Sequence, residues 1–255
     1  MKWLIKPIKV EHKKMELLMK MLSSVDIEFD IVHTVEGKLY DNEKKPYVLN
    51  QEESYFVCGS YQLTKVVSQT HKEASFVLDD YTFQDWYEIF GKENMLNENI
   101  QISQAKDINW INEEMFVRPL LDSKAFNGGI FNKNTLNTDV VCVVAPLQHI
   151  QKEFRFFVLD GEIVGSSQYK MNGELFPSSI VDEDAKDFVL KMIKKFDFPG
   201  YVIDIATTDG KCKIVELNCF NASGFYEIDL WKFMEKVTNY YENKMSLKNS
   251  NRMKI

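Results

Sequence analysis

Apolar residues alternate with polar ones at a period of two in some stretches and recur every three to four residues in others, and the two patterns take turns along the chain. Lys2–Ile8, Ile27–Val35, Tyr55–Cys58 and Ala74–Leu78 carry strand patterns. Between them, Glu11–Ser23, Tyr61–Ser68 and Thr82–Phe90 carry helical ones. Met15, Leu18, Met19 and Leu22 make one apolar stripe, and Thr82 is placed to cap its helix. Glu36–Asn50 is polar and predicts a loop. Strands alternating with helices predict an open α/β N-terminal domain over residues 1–104, and a polar shift around Gln101–Trp110 marks its end.

The second half is richer in strands. Met115–Leu120 predicts a strand, followed by the glycine loop Asn127-Gly128-Gly129 and the apolar strand Val140–Ala145, which Pro146 stops. Glu153–Val158 and Ile163–Tyr169 predict a hairpin around Asp160-Gly161. Along the first of these strands, Glu153 and Arg155 share a face among aromatics. Val181–Phe196 predicts a helix with acids at its start and lysines at its end, complementing its dipole. Ile228–Tyr241 predicts a last helix, and Asn243–Ile255 a polar, basic tail.

Between those helices lies Tyr201–Tyr226, the most informative stretch. It predicts two strands around Asp209-Gly210. Glu216 and Asn218 share a face, roughly 7 Å apart along the strand. A two-residue loop would pair Ile203 with Glu216 and turn Asp204 away from them. A three-residue loop with Gly210 in the left-handed conformation instead puts Ile203 and Ile205 on the face of Val215 and Leu217, with Asp204, Glu216 and Asn218 together on the other. The apolar pattern favours the second register, because register follows the buried face. Two carboxylates and a carboxamide on one patch are hard oxygen donors suited to Mg²⁺, and an unpaired carboxylate in such apolar strands is costly to bury.

Composition narrows the class. The chain has 255 residues, 45% of them hydrophobic and 27% charged, enough for one large or two modest domains. A net charge of −7 supplies no basic field for nucleic acid. Cys58, Cys142, Cys212 and Cys219 show no metal-ligand spacing and predict reduced thiols of a cytoplasmic protein. No apolar run approaches a membrane-spanning length. Neither a Walker A loop nor GxGxxG occurs. Arg118, on the strand face opposite Val117, together with Lys124 and the glycine pair, offers a guanidinium fork, an ammonium and backbone donors to a polyphosphate.

The order VRP, DSKxFNGG, an apolar strand ending in AP, EFRFFVLDGEIVG, and VIDI…VELN…G resembles the ATP-grasp superfamily of ATP-dependent carboxylate–amine ligases, nearest its peptide-ligase-like bacterial and phage members. The resemblance covers about Met115–Trp231. It implies an ATP-grasp fold of two α+β subdomains clamping ATP, here 105–148 and 149–244, after the N-terminal domain and before a flexible 245–255 tail. It further implies that Arg118 and Lys124 contact the phosphates, that Asn127, Gly128 and Gly129 close over them, and that Ala145–Leu147 reads adenine. Glu153 would lie near the ribose, Arg155 and Lys170 near the transferred phosphate and the substrate, and Asp204, Glu216 and Asn218 would hold Mg²⁺. The implied partners are ATP, a carboxylate and an amine. Two departures stand out. Ala145 replaces a glutamate common before the hinge proline, and the stretch Asn218–Gly224 lacks the proline of the family's NxxPG ending. A small-molecule kinase and a non-catalytic nucleotide-binding module on the same scaffold are the alternative readings.

Overall fold

The computed structural model describes residues 1–8, 11–120, 126 and 128–252. Lys124 and Asn127 lie outside the described residues. The N-terminal unit contains β1 (Lys2–Ile5), α1 (His12–Ser24), β2 (Phe29–Val35), β3 (Lys38–Asp41), β4 (Tyr55–Cys58), α2 (Tyr61–Ser68) and α3 (Phe83–Phe90). Its sheet runs β3-β2-β1-β4, with β1 parallel to both β2 and β4. The α1 stripe is buried at Met15, Leu18 and Leu22, as the period demands. Thr82 caps α3 in a reciprocal capping box with Asp85.

Two expectations change here. The polar stretch after β2 contains β3, because Glu36 and Gly37 take left-handed conformations that close a tight hairpin. Ala74–Leu78 is not a strand. It follows a single 3₁₀ turn over Lys72–Ala74, and its apolar residues are buried by another route. The Phe76 N–H donates to the Asn221 side chain at 2.7 Å, and the Phe76 ring packs against Phe220.

A small antiparallel sheet runs β5-β8-β6-β7, made of β5 (Gln101–Gln104), β6 (Met115–Pro119), β7 (Gly129–Phe131) and β8 (Val141–Ala145). The boundary drawn after residue 104 falls between β5 and the rest of this sheet. Along β6, Met115 and Val117 are buried with Cys142 and Val144, while Phe116 and Arg118 take the other face.

The large sheet runs β11-β10-β9-β12-β13 and is antiparallel throughout. Its strands are β9 (Lys152–Leu159), β10 (Glu162–Met171), β11 (Glu174–Ser178), β12 (Gly200–Thr208) and β13 (Lys211–Cys219). One face carries Phe154, Phe156, Val158, Ile203, Ile205 and Ile214 and is covered by α4 (Glu183–Ile193) and α3. The opposite face begins apolar, with Phe157, Leu159 and Val202 packed under α1 and α5 (Leu230–Arg252). Further along the same strands it becomes charged, and there the cleft opens. The backbone of α5 stays helical to Arg252, where a tail was expected; no glycine or proline interrupts 243–252.

Candidate active site

The β12–β13 hairpin closes on two residues, Asp209 and Gly210, with φ of +48° and +71°. Thr208 pairs with Lys211. This is the shorter loop, not the three-residue one. By itself it would have set Ile203 against Glu216. A β-bulge corrects the register: Ile205 pairs with Ile214 but Asp204 pairs with Glu216, so Val215 is the extra residue. Asp204, Glu216 and Asn218 therefore meet as expected. Ile214, not Val215, joins the buried face, and Val215 turns to line the cleft.

Across the large sheet the register puts Ser167, Arg155, Asp204 and Glu216 in one row and Lys170, Glu153 and Ala206 in the next. Arg155 donates through Nε to Asp204 Oδ1 at 2.9 Å and through Nη2 to Oδ2 at 2.8 Å. Asn218 Nδ2 reaches Asp204 Oδ2 at 3.2 Å and Glu216 Oε1 at 3.1 Å. From the small sheet, Arg118 Nη1 donates to Glu216 Oε2 at 3.3 Å, so one ion pair spans the two sheets. Gly128 lies over Arg118, where a Cβ would come within 3.0 Å of the arginine's own Cβ. A side chain there would need Arg118 to give way by a few tenths of an ångström.

Glu153 is buried. It accepts from the Tyr169 hydroxyl at 2.6 Å and pairs with Lys170 at 3.1 Å. A second bulge explains the grouping: Gln168 pairs with Phe154 and Lys170 with Glu153, so Tyr169 is extra on β10. Strict alternation would have sent Tyr169 and Lys170 to opposite faces; both line the cleft. Tyr169 stacks on Tyr226 with ring centroids 5.0 Å apart, and the Arg155 guanidinium lies 5.4 and 5.2 Å from the two rings.

Electrostatics follow burial. Loss of hydration raises the Asp204 carboxyl above its ordinary range, opposed by the Arg155 guanidinium. Arg155 loses hydration as well, yet Asp204 beside it holds it more firmly protonated than usual. The bidentate geometry opposes the cost of removing both charges from water. The Tyr169 hydroxyl is pushed up by burial and by Asp204 and Glu153, so it donates and does not act as a base.

Three contributors were not legible in the sequence. Tyr169 was hidden by the bulge, and Tyr226 by an irregular loop in which it holds φ +49°. Glu11 comes from the N-terminal unit. Its half-buried carboxylate accepts from the backbone N–H groups of Tyr226 and Phe225, and its proton affinity is raised by burial. A Cβ on Gly224 would come within 2.9 Å of Glu11 Oε1.

The enclosing cavity, about 850 Å³, lies between the two sheets. One end is apolar, with Phe83, Leu96, Pro146, Leu147 and Ile150. The other carries Arg118, Glu216, Asp204, Arg155, Glu153 and Lys170. Ala145 is buried at the end of β8, and the residues after it form the wall. The donor set fits Mg²⁺. Among the described residues no cluster of three or more His, Cys, Asp or Glu side chains could cage a metal, but this ion takes few carboxylates and completes its shell from phosphates and water. Asp204 gives three of its roughly four lone-pair sites to Arg155 and Asn218, which leaves one. Glu216 and the amide oxygen of Asn218 offer further oxygens on the same patch.

A family model of the ATP-grasp domain, R2K clade family 3, matches residues 41–237, and the chain belongs to that family. ATP and Mg²⁺ are the family's cofactors. Among solved structures, D-alanyl-alanine synthetase A from Vibrio cholerae aligns with a TM-score of 0.59 at 11% identity, covering 92% of this chain and 93% of its own. Macrocyclase MdnC from Microcystis aeruginosa, bound with precursor peptide MdnA, aligns at 0.59 and 11%, covering 94% and 100%. The ligase PsnB, complexed with minimal precursor, Mg and ADP, aligns at 0.55 and 10%, covering 93% and 97%. At these identities the likeness is one of fold. No curated protein matches the sequence. Among the described residues, no helix is long and apolar enough to cross a membrane.

Proposed function

We propose that this ATP-grasp protein is an ADP-forming ligase that joins a carboxylate to an amine through an acyl phosphate, with an amino acid or peptide among its substrates. The observation that carries the reading is the row Arg118, Glu216, Asp204 and Arg155, drawn from two sheets and closed by hydrogen bonds into one cleft. The base of ATP takes the apolar end, the ribose lies at Glu153, and Arg118 meets the phosphates beneath Gly128 and Gly129. Glu216, Asn218 and Asp204 would hold Mg²⁺, which supplies charge neutralisation when bound.

Transfer of a phosphoryl group depends on positioning and charge neutralisation more than on covalent help. The substrate carboxylate oxygen attacks the terminal phosphorus, the bond to the bridging oxygen breaks, and ADP leaves. The amine lone pair then attacks the acyl carbon, a C–N bond forms, and phosphate departs with the C–O electron pair as the amine gives up a proton. Arg155 keeps one N–H on each terminal nitrogen beyond those committed to Asp204 and Gly224, and these face the transferring group. Lys170 offers its ammonium beside them. Peptide-like substrates are favoured by the fold's likeness to MdnC and PsnB, which are bound to precursors.

The test is incubation with ATP, Mg²⁺ and a panel of amino acids and peptides, read by ADP and phosphate release and by product mass. A condensed product formed one-for-one with ADP and phosphate is expected. ADP with a stable phosphorylated product would make the protein a kinase, and nucleotide binding without turnover across the panel would make it a binding module.

A further inference from the structure

Two chain crossings bound the apolar end of the cavity, each leading from one sheet to the other. One is 146–151, between β8 and β9. The second lies between Leu96, whose N–H donates to the Ile214 carbonyl on β13 at 2.8 Å, and Gln101, which pairs with Val144 on β8. The two run side by side, since Pro146 borders both the main cavity and the smaller hollow at Glu98, Asn99 and Gln101. This second crossing belongs to a stretch that no motif covers.

Asn97 opens that crossing and lines the main cavity. Its backbone is fixed from both sides: the Tyr87 hydroxyl donates to its carbonyl, and the preceding N–H is tied to β13. Its carboxamide has no hydrogen-bond partner among the described residues. The surrounding wall is apolar, formed by Phe83, Leu96, Leu147 and Ile150. A polar group on a fixed backbone in an apolar wall gains from a ligand that returns its hydrogen bonds. A carboxamide presents a donor beside an acceptor. Adenine presents the complement along its N6/N7 edge, an amino donor beside a ring-nitrogen acceptor, whereas a 6-oxopurine presents two acceptors on that edge. Gln148, the other carboxamide of this end, is exposed on its crossing.

We propose that Asn97 reads the N6 edge of the purine and sets the preference of the site for adenine. The inference rests on the reading of this cavity as the ATP site.

Isothermal titration with ATP and with inosine triphosphate separates the two. Wild type is expected to favour ATP, and Asn97→Ala to weaken ATP by about tenfold, the loss of one carboxamide pair, while bringing the ATP-to-ITP ratio towards one. Asn97→Leu, close in size, serves equally if the alanine variant fails to fold. An unchanged ratio in a folded Asn97 variant that still binds ATP overturns the role of Asn97 only. Wild-type protein that binds neither nucleotide overturns the ATP site itself, and the inference with it.

Discussion

Asp204 lies directly opposite Arg155 across the β9–β12 ladder and accepts from Nε and Nη2 along one edge of its guanidinium, with the carboxylate 1% and the guanidinium side chain 11% exposed. An ion pair so buried contributes little net stability as a pair, but losing one member leaves an uncompensated charge. Asp204→Ala is expected to destabilise the fold by roughly 3–5 kcal/mol, read from the urea midpoint. Arg155→Met combined with Asp204→Leu should cost less than either single change. A double variant that costs the sum of the two singles would mean that the pair is not the reason for either side chain.

The ion pair that spans the two sheets behaves differently. Arg118 and Glu216 are 30% and 37% exposed, and pairs of that kind contribute under about 1 kcal/mol. Glu216→Gln should therefore leave the melting temperature almost unmoved while weakening the Mg²⁺ dependence of stabilisation by ATP. Thermal melts with ATP, in Mg²⁺ and in EDTA, check this. Equal stabilisation of the wild type in both conditions would remove Glu216 from the metal.

Gly200 opens β12 and packs against the Phe76 ring. A Cβ there would stand 2.5 Å from the Phe76 ring, a contact that demands movement of a buried aromatic. Gly200→Ala should cost roughly 1–3 kcal/mol through overpacking. In a Phe76→Ala background the same change should cost far less. A cycle with no coupling would place the strain elsewhere.

The thiols give a pH prediction. Burial pushes Cys58 up to about 12 and Cys219 up to about 11. A raised thiol stays protonated, and only the thiolate is nucleophilic. At pH 8, Cys219 keeps on the order of one thiolate in a thousand. Both residues should label slowly with a disulfide reagent in native buffer and fast in denaturant. Rapid native labelling of either, mapped by mass spectrometry, would mean that its burial is breached in solution.

What the sequence shows and what it hides divide along physical lines. Period-two and helical stripes placed most elements correctly, because burial of an apolar face is a local instruction that the chain repeats many times. Charged residues set in apolar strands, at Arg155, Asp204 and Glu216, pointed to one patch for the same reason: such groups persist only when paired. The register of the β12–β13 hairpin is set by a bulge and not by the three-residue loop that the apolar pattern favours. Both loop lengths are compatible with Asp209-Gly210, and only the cross-strand packing of Ile203, Ile205 and Ile214 against α4 places the extra residue at Val215.

Contributors from distant segments were beyond reach of any motif. Tyr169 enters the cleft through a bulge and Asn97 through a crossing that carries no signature, while Glu11 reaches the 224–226 loop through the start of α1. The sequence by itself determined which faces are buried and which charges must find partners, since both follow from the cost of removing a side chain from water. The tertiary structure decided which partners they find, because that depends on bulges and crossings whose energies arise from contacts between residues far apart in the chain.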